Sequence, residues 1–437
     1  MQSDTTVITA EVVDLTHEAQ GVARVDNKTV FIEGALPGEK VRFRYTRRKR
    51  NFDEAELVDI LEASVDRVTP RCAYFGTCGG CSFQHIEAAR QIDYKQKQLL
   101  DSLRHVGGIV PPELIPPLAS QAHWGYRTRA RLGAKWVKKK GRVLVGFREK
   151  RKPYIADMSH CEILTPAVSA LIPAFAELIA QLSQADKIPQ IEVATTENIN
   201  AFVIRHLYEL SADDLRLLKE FARQHDIALY LQAKGPDSIS LLYPEQVTLH
   251  YSIPAYAVSF EFQPSDFIQV NQTINAAMVT LALQLLELDP ADNVVELFAG
   301  LGNFSLPMAR TAGQVTAFEG DPGLVARAAL NAAANGIDNV AFHTADLFDG
   351  VEAIKALLPK GYNKVFLDPP RSGAMQVLPL VVNKAVKRIV YVSCNPATLA
   401  RDARILVEEL GFKLKKAGVM DMFPQTSHVE SIALFTR

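Results

Sequence analysis

Ile389-Val390-Tyr391-Val392-Ser393-Cys394-Asn395-Pro396-Ala397-Thr398-Leu399-Ala400-Arg401-Asp402 is the stretch from which the fold is read. Ile389 to Val392 is a short apolar run, the pattern of a buried strand. Pro396 cannot extend a ladder, and it holds Asn395 away from helical angles. Ala397 to Leu406 then takes helical spacing. A buried strand that turns straight into a helix is a unit of a parallel α/β sheet, and Cys394 falls on the turn at the strand's carboxyl end. Ligands bind along that edge in open α/β sheets. Most free cysteines are small buried hydrophobes. A thiol at this edge is equally a candidate nucleophile, and the stretch alone leaves both open.

The same strand-to-polar-turn pattern recurs upstream. Phe267-Ile268-Gln269-Val270-Asn271-Gln272 leads into a helix over Ile274 to Leu288. Asn293 to Phe298 reads as a buried strand running into Ala299-Gly300-Leu301-Gly302-Asn303-Phe304-Ser305, which opens a helix. A dinucleotide fingerprint would carry a third glycine where Ser305 stands. A cofactor without a pyrophosphate needs none there, and E-L-F-A-G-x-G-N is the first-loop form of S-adenosylmethionine-dependent methyltransferases. The next strand, Gln314 to Phe318, ends in Glu319, an acid suited to ribose hydroxyls. Asn339 to His343 ends at Asp346, suited to the adenine amine. Lys364 to Leu367 ends at Asp368-Pro369-Pro370-Arg371. Polar strand ends in this order predict a Rossmann-like α/β catalytic domain over 263–437.

Asp-Pro-Pro is ambiguous by itself, since amino-methylating enzymes use a similar turn followed by an aromatic residue. Here Arg371 follows, and Cys394 stands on the next strand. Carbon 5 of uracil is a poor nucleophile. A thiolate adding to carbon 6 turns the ring into an enolate, and carbon 5 can then attack a methyl donor. A base must afterwards remove the hydrogen from carbon 5. Glu430, in His428-Val429-Glu430-Ser431, precedes the last strand (Ile432 to Phe435) and suits that task.

The chain has 437 residues, enough for two or three domains. Apolar residues make up 48% and charged residues 22%, ordinary for a globular protein. No apolar run approaches the ~18 residues that span a bilayer. Met1-Gln2-Ser3-Asp4 lacks the basic and apolar regions of a signal peptide. A cytoplasmic location with reduced thiols is the expectation. Net charge is −1, so nucleic-acid binding must rest on local patches.

Residues 1–65 read as short strands with turns at Asp26-Asn27 and Pro37-Gly38, the pattern of a small closed barrel of the oligonucleotide-binding type. Arg47-Arg48-Lys49-Arg50, with Arg42 and Arg44, gives it a phosphate-contacting face. The segment resembles a TRAM domain, through Gly21-Val22-Ala23-Arg24 and Val30 to Glu39. Residues 66–262 are expected to form an α+β central domain, with the helix near 92–106 packing on the catalytic domain. Twelve Lys/Arg and one acid, Glu149, lie between Arg127 and Lys152, with Tyr126, Trp136 and Phe147 nearby. Charge for a backbone and rings for unpaired bases suit RNA. Arg127, Arg129 and Arg131 would share one face of a strand. From about 165 to 262 no chemical motif is legible.

Cys72, Cys78 and Cys81 are spaced C-x5-C-x2-C, threaded by Gly76, Gly79 and Gly80. The remaining thiols are Cys161 and Cys394. Assigning Cys161 as a fourth ligand leaves Cys394 free. Zinc and an iron–sulfur cluster both accept four thiolates.

D-P-P-R (368–371), V-S-C-N-P-A-T-L-A-R-D (392–402) and H-V-E (428–430) together resemble the RNA uracil-5-methyltransferases. The resemblance implies Cys394 as nucleophile and Glu430 as base. It implies that Gln269, Phe298, Asn303, Glu319, Asp346 and Asp368 line a pocket for S-adenosyl-L-methionine. It also implies a 4Fe–4S cluster on Cys72, Cys78, Cys81 and Cys161. Barrel and cysteine ligands together point to the branch acting on 23S ribosomal RNA, free or partly assembled, as a monomer without membrane contact. Another ribosomal or transfer RNA site is the alternative. A cytosine-5 enzyme often needs a second catalytic cysteine, and none is left over. A non-catalytic RNA-binding assembly factor predicts neither the ordered strand ends nor a free Cys394.

Overall fold

The computed structural model describes residues 6–349 and 351–437; the first residues, read above as lacking a leader, lie outside that range. Strands β1 (Val7–Leu15), β2 (Gln20–Val25), β3 (Lys28–Glu33), β4 (Lys40–Arg48) and β5 (Phe52–Glu62) close into a barrel in the order β1-β2-β3-β5-β4. Alternation drives it: Val41, Phe43 and Tyr45 on β4 point into the core, and Arg42 and Arg44 point out. Asp26 and Asn27, with φ of 49° and 65°, form the two-residue turn between β2 and β3. Aspartate and asparagine tolerate that left-handed conformation, and its twist suits a hairpin.

Next come α1 (Ala88–His105), β6 (Glu113–Leu114), β7 (Arg129–Val137), β8 (Arg142–Gly146), α2 (Pro166–Gln181), β9 (Gln190–Thr195), β10 (Asn200–Arg205), α3 (Ala212–Gln224), β11 (Ile227–Gln232) and β12 (Ile239–Tyr243). Six of these strands form one sheet, β12-β11-β10-β9-β7-β8. Phe175 of α2 meets Phe202 of β10 and Phe221 of α3, each at 4.8 Å between centroids, so both helices share the core of this sheet. This is the layered solution that the stretch without motifs adopts.

A hairpin, β13 (Leu249–Ile253) and β14 (Val258–Phe262), precedes α4 (Gln272–Leu286). The catalytic half then runs β15 (Asn293–Leu297), α5 (Ser305–Ala309), β16 (Gln314–Glu319), α6 (Pro322–Ala334), β17 (Val340–Thr344), α7 (Val351–Leu357), β18 (Lys364–Leu367), α8 (Leu378–Val381), β19 (Arg388–Ser393), α9 (Pro396–Arg404), β20 (Lys413–Met420) and β21 (Glu430–Thr436). Its eight-stranded sheet has the order β17-β16-β15-β18-β19-β21-β20-β6. Strands β17 to β19 are parallel, and β21 is antiparallel to both β19 and β20. Strand order reverses at β15, so a crevice opens beyond the carboxyl ends of β15 and β18. This is the doubly wound α/β sheet expected of 263–437, behind an N-terminal closed barrel.

Two earlier segments complete the catalytic sheet. Strand β6 pairs in parallel with β20, Glu113 opposite Lys416 and Leu114 opposite Ala417. Leu99 and Leu103 of α1 join the apolar core that holds Val295, Tyr391, Leu399 and Phe435. Lys95 of α1 is buried and donates to Asp421 at 2.7 Å and to the carbonyl of Phe423 at 2.9 Å. The β13–β14 hairpin also docks here, its Ser259 amide donating to Asn335, which caps the end of α6, and its Glu261 amide to Asn331 within α6.

Candidate active site

The register of β19 and β21 builds the centre of the site. Ser393 lies opposite Ser431, and the Ser431 hydroxyl donates to the Ser393 carbonyl at 2.9 Å. At this edge Cys394 follows Ser393 just beyond the end of β19, and Glu430 precedes Ser431 as the first residue of β21. The turn carrying Cys394 is tied down on both sides. The Asn395 amide donates to the Ser393 hydroxyl at 3.1 Å, and the Asn395 side chain caps α9. Asn395 Nδ2 and Thr398 Oγ1 both donate to the carbonyl of Arg371, at 3.0 and 3.2 Å. The Asp-Pro-Pro-Arg loop is thereby locked to the cysteine turn. Buried Asp402 secures the same loop, accepting from Ala374 N and Tyr391 Oη, each at 2.7 Å.

Carboxyls dominate the electrostatics. Burial pushes the Cys394 thiol up to about 11, the charges of Glu430 and Asp368 add to this, and Arg371 pulls it back down. Burial and the charge of Asp368 hold Glu430 well above the carboxylate range. Burial raises Asp368 to about 7. Glu296, in the middle of β15, is 1% exposed and is pushed up to about 8 by burial, with Asp368 and Glu319 adding to it against the Ser305 hydrogen bond. Its second oxygen has no hydrogen-bond partner. Sequence reading passed over Glu296, although an acid inside the apolar run N-V-V-E-L-F was a visible signal.

The glycine loop approaches this cluster. Gly300 and Gly302 take φ of 56° and 85°, and Phe298 takes 64°. For a bulky residue such a value is an outlier, of the kind that collects at functional sites. The Phe298 ring packs on Phe348 at 5.7 Å. The Glu319 carboxylate accepts from the amides of Gly300 at 3.0 Å, Gly320 at 2.7 Å and Asp321 at 3.0 Å. Those bonds fix the acid at the β16 tip and the loop against it. Asp346 accepts from Phe348 and Asp349 amides. Asn303 exchanges two 2.9 Å bonds with Asn275 of α4 and accepts from Tyr251 Oη at 3.1 Å. Asn275 and Tyr251 carried no motif and were not foreseen. Gln269 is half-buried and its carbonyl accepts from Gln272, outside this bonded set.

Residues 89–437 match the family described as tRNA (Uracil-5-)-methyltransferase, and residues 5–58 match the TRAM domain. The chain belongs to the tRNA (uracil-5-)-methyltransferase family. It is similar to the 23S rRNA (uracil(1939)-C(5))-methyltransferase RlmD of Methylococcus capsulatus, 50% identical over 431 residues that cover 98% of this chain and 97% of the relative. Relatives of the same name in Nitrosococcus oceani and Xanthomonas campestris are each 48% identical, covering 98% and 99% of this chain and 95% and 98% of their own. Among solved structures it is similar to the Pyrococcus abyssi tRNA (uracil-54, C5)-methyltransferase in complex with S-adenosyl-L-homocysteine. The TM-score is 0.75 at 21% identity, over 98% of this chain and 100% of that one, a likeness of fold.

In this member of the uracil-5-methyltransferase family, Cys72, Cys78, Cys81 and Cys161 line one cavity, walled by Phe75, Phe147, Met158 and Ile163. The loop is drawn tight: Gly79 donates to the Arg148 carbonyl at 2.9 Å, and a Cβ there would stand 3.2 Å from that oxygen. Burial and the neighbouring cysteines push Cys81 up to about 12 and Cys161 to about 11. Among the described residues, no group of three or more His, Cys, Asp or Glu side chains is disposed to hold a single metal ion.

The basic stretches are less free than their sequence suggests. On the barrel, Arg42 pairs with Asp59, Arg44 with Glu56 and Lys49 with Glu54. Arg47 and Arg50 are exposed, and the Arg48 guanidinium lies over the Tyr45 ring at 4.0 Å. In the central sheet Arg131 pairs with Glu192, and Lys140 and Arg142 share Asp157. Arg129 was expected on an RNA-facing row with Arg127 and Arg131. Instead its guanidinium donates to the carbonyls of Pro264 and Asp266, at 2.8 and 2.9 Å, clamping the segment that enters the catalytic half.

Proposed function

We propose that this protein transfers a methyl group from S-adenosyl-L-methionine to carbon 5 of a uracil in 23S ribosomal RNA, at the site equivalent to uracil 1939. The closeness of Cys394 and Glu430, each next to the Ser393–Ser431 pair and near enough for the Glu430 charge to raise the thiol, carries this reading, in a chain about half identical to RlmD relatives over nearly its whole length. The residues present suit the cofactor. Glu319 and Asp346 stand at strand tips for ribose and adenine, the strained Phe298 loop approaches its methionine part, and the raised carboxyls Asp368 and Glu296 suit a cation. When bound, S-adenosyl-L-methionine supplies an electrophilic methyl group and a positive charge that offsets those acids.

Cys394 attacks carbon 6 as a thiolate, and the electron pair of the carbon 5–carbon 6 double bond moves into the enolate. Arg371 assists by lowering the thiol's pKa. After methylation Glu430 takes the carbon-5 proton. The carbon–hydrogen pair re-forms the double bond, and the carbon–sulfur pair leaves on Cys394. A base whose pKa is raised by burial is a stronger proton acceptor once ionised, which suits Glu430 to a carbon acid.

The four cysteines around one apolar cavity support a 4Fe–4S cluster with a structural role. A lone zinc would need all four sulfurs ~2.3 Å from one point. An iron–sulfur cluster takes its four thiolates around a larger core, and these four cysteines line one cavity. In this reading 1–65 is the RNA-binding barrel, 66–262 holds the cluster and basic strands, and 263–437 does the chemistry, with α1 and β6 lent to its sheet. No helix among the described residues is long and apolar enough to cross a membrane.

The test is methyl transfer to a 23S ribosomal RNA fragment by purified protein, with the modified base mapped. Labelled 5-methyluridine at the 1939 position supports the reading. Transfer to transfer RNA alone, or RNA binding without transfer, overturns it.

A further inference from the structure

Glu430 opens β21, and the chain reaches it through the loop 421–429 that leaves β20. That loop is held from outside at Asp421, Phe423, Pro424, Gln425 and Ser427. Gln425 is 2% exposed with a φ of 68°, a left-handed conformation uncommon for glutamine. Its carbonyl accepts from the amides of Ser82 at 3.0 Å and Phe83 at 2.9 Å, directly after Cys81. Its own amide donates to Gln91 Oε1 at 2.9 Å, and its side-chain oxygen accepts from Gln91 Nε2 at 3.0 Å. Ser427 N donates to the Ser82 hydroxyl at 2.8 Å. The Tyr126 hydroxyl donates to the Pro424 carbonyl at 2.9 Å. Cys394 is held by a different set, from Ser393, Asn395, Thr398 and the Arg371 carbonyl. No residue of the cysteine loop belongs to that second set.

Beyond the Ser393–Ser431 pair that joins their strands, the two reacting groups are held by different contacts. We propose that Gln425 is the positioning residue for Glu430, and that the segment following the cysteine loop acts through it to set the release step without touching the addition step. This rests on the proposed role of Glu430 as the base. Release moves one proton from carbon 5 to Glu430 and returns the sulfur's electron pair to Cys394, so a displaced carboxyl slows that step alone. The left-handed backbone at Gln425 needs its outside bonds, because a glutamine freed of them relaxes toward ordinary angles. A loop relaxed at 425 shifts the entry to β21 five residues on.

Gln91→Leu removes both side-chain bonds to Gln425, and Ser82→Ala removes the acceptor for Ser427. Each is compared with wild type on two RNA fragments. With 5-fluorouridine at the target, adduct formation reads addition and methyl transfer without release, since fluorine cannot leave as a cation. With ordinary uridine, denaturing electrophoresis reads methylated adduct awaiting release. The expected result is a trapping rate within about twofold of wild type. Turnover falls about tenfold, the KM for RNA holds, and methylated adduct accumulates on ordinary uridine. Gln425→Gly, which accepts the positive φ without strain, should slow release less than Gln425→Val. Trapping that falls in step with turnover overturns the proposal, because the loop would then be a general support. Unchanged turnover in both variants overturns it too. If Gln91→Leu fails to fold, Ser82→Ala decides. Wild type that neither traps nor methylates counts against the proposed function, not against this coupling.

Discussion

The acids of the catalytic crevice and the bases of the barrel handle charge in opposite ways. Burial raises the carboxyls of Glu296, Asp368 and Glu430, and the charge of Asp368 raises Glu296 and Glu430 further. On the barrel, Arg42, Arg44 and Lys49 sit at the surface, each already matched to an acid on β5. Exposed pairs are worth about 0–1 kcal/mol, so a phosphate can replace the acid at little loss. A buried acid without a cation is strained in its ionised form, and a bound positive charge relieves it. One region is built for exchange with a large polyanion. In the function proposed above, the other is completed by a small cation and hands protons on.

Removing the thiol breaks the comparison most sharply. Cys394→Ala should lose at least ~10³-fold in turnover, because carbon 5 is no longer activated, while RNA affinity stays within about twofold. Glu430→Gln should instead complete addition and methylation and stall, leaving RNA covalently attached on a denaturing gel. A shifted band with wild type and 5-fluorouridine RNA that persists in Cys394→Ala would place the nucleophile elsewhere. The next effect belongs to the barrel. Replacing Arg47, Arg48 and Arg50 together with Ala should weaken RNA binding about tenfold or more near 0.1 M salt. It should also flatten the salt dependence by roughly 0.9 for each phosphate that is no longer neutralised. Cofactor binding, measured by calorimetry, should not move.

Sequence carried the catalytic half well, and for a physical reason. Parallel strands buried on both faces are continuous apolar runs, and the residue ending each run is the one facing the crevice. Lys364–Leu367 was therefore legible as a strand to the residue, and so was the place of Cys394, Glu319 and Asp368 at or just beyond strand ends. Elements whose meaning lies in remote partners were not legible. Strand β6 is two residues long and exists because β20 offers an edge. Gln425 looks like any loop glutamine until Ser82, Phe83 and Gln91 are folded around it. Arg129 read as a surface cation because its acceptors are carbonyls some 135 positions away. Composition cannot tell an arginine held by its own backbone from one waiting for phosphate.

Arg371 links the two regions, since it is an exposed cation whose field reaches the thiol. Arg371→Ala should leave Cys394 higher still and lower kcat/KM about tenfold near neutral pH. Thiolate is the minor form throughout, so kcat/KM should climb with pH from 7 to 9 in both proteins, the variant lying below wild type. Parallel profiles with no offset would assign Arg371 to the loop alone, where its carbonyl already serves Asn395 and Thr398.

The smallest expected effect tests whether the buried acids are strained at all. Glu296 titrates near 8 in the folded chain, against an ordinary value of 4.5. Between those values the folded chain holds a proton that the unfolded chain has released. Stability from this group is thus complete below about pH 4.5 and is lost as pH rises through 8. Glu296→Gln keeps the neutral shape and cannot ionise. Near pH 5 it should match wild type, and near pH 9 it should be more stable by about 1–2 kcal/mol, well under the full linkage ceiling because water and small movements soften a buried charge. Asp368 and Glu296 repel each other when ionised, so the gap reports the Glu296 charge together with its repulsion of Asp368. Thermal unfolding at the two pH values is the measurement. A Tm gap that opens on going to pH 9 supports a strained acid whose free oxygen has no partner within the chain. An equal gap at both pH values would mean that Glu296 serves through its bond to Ser305, holding the glycine loop to β15, and that the crevice charge lies on Asp368 and Glu430.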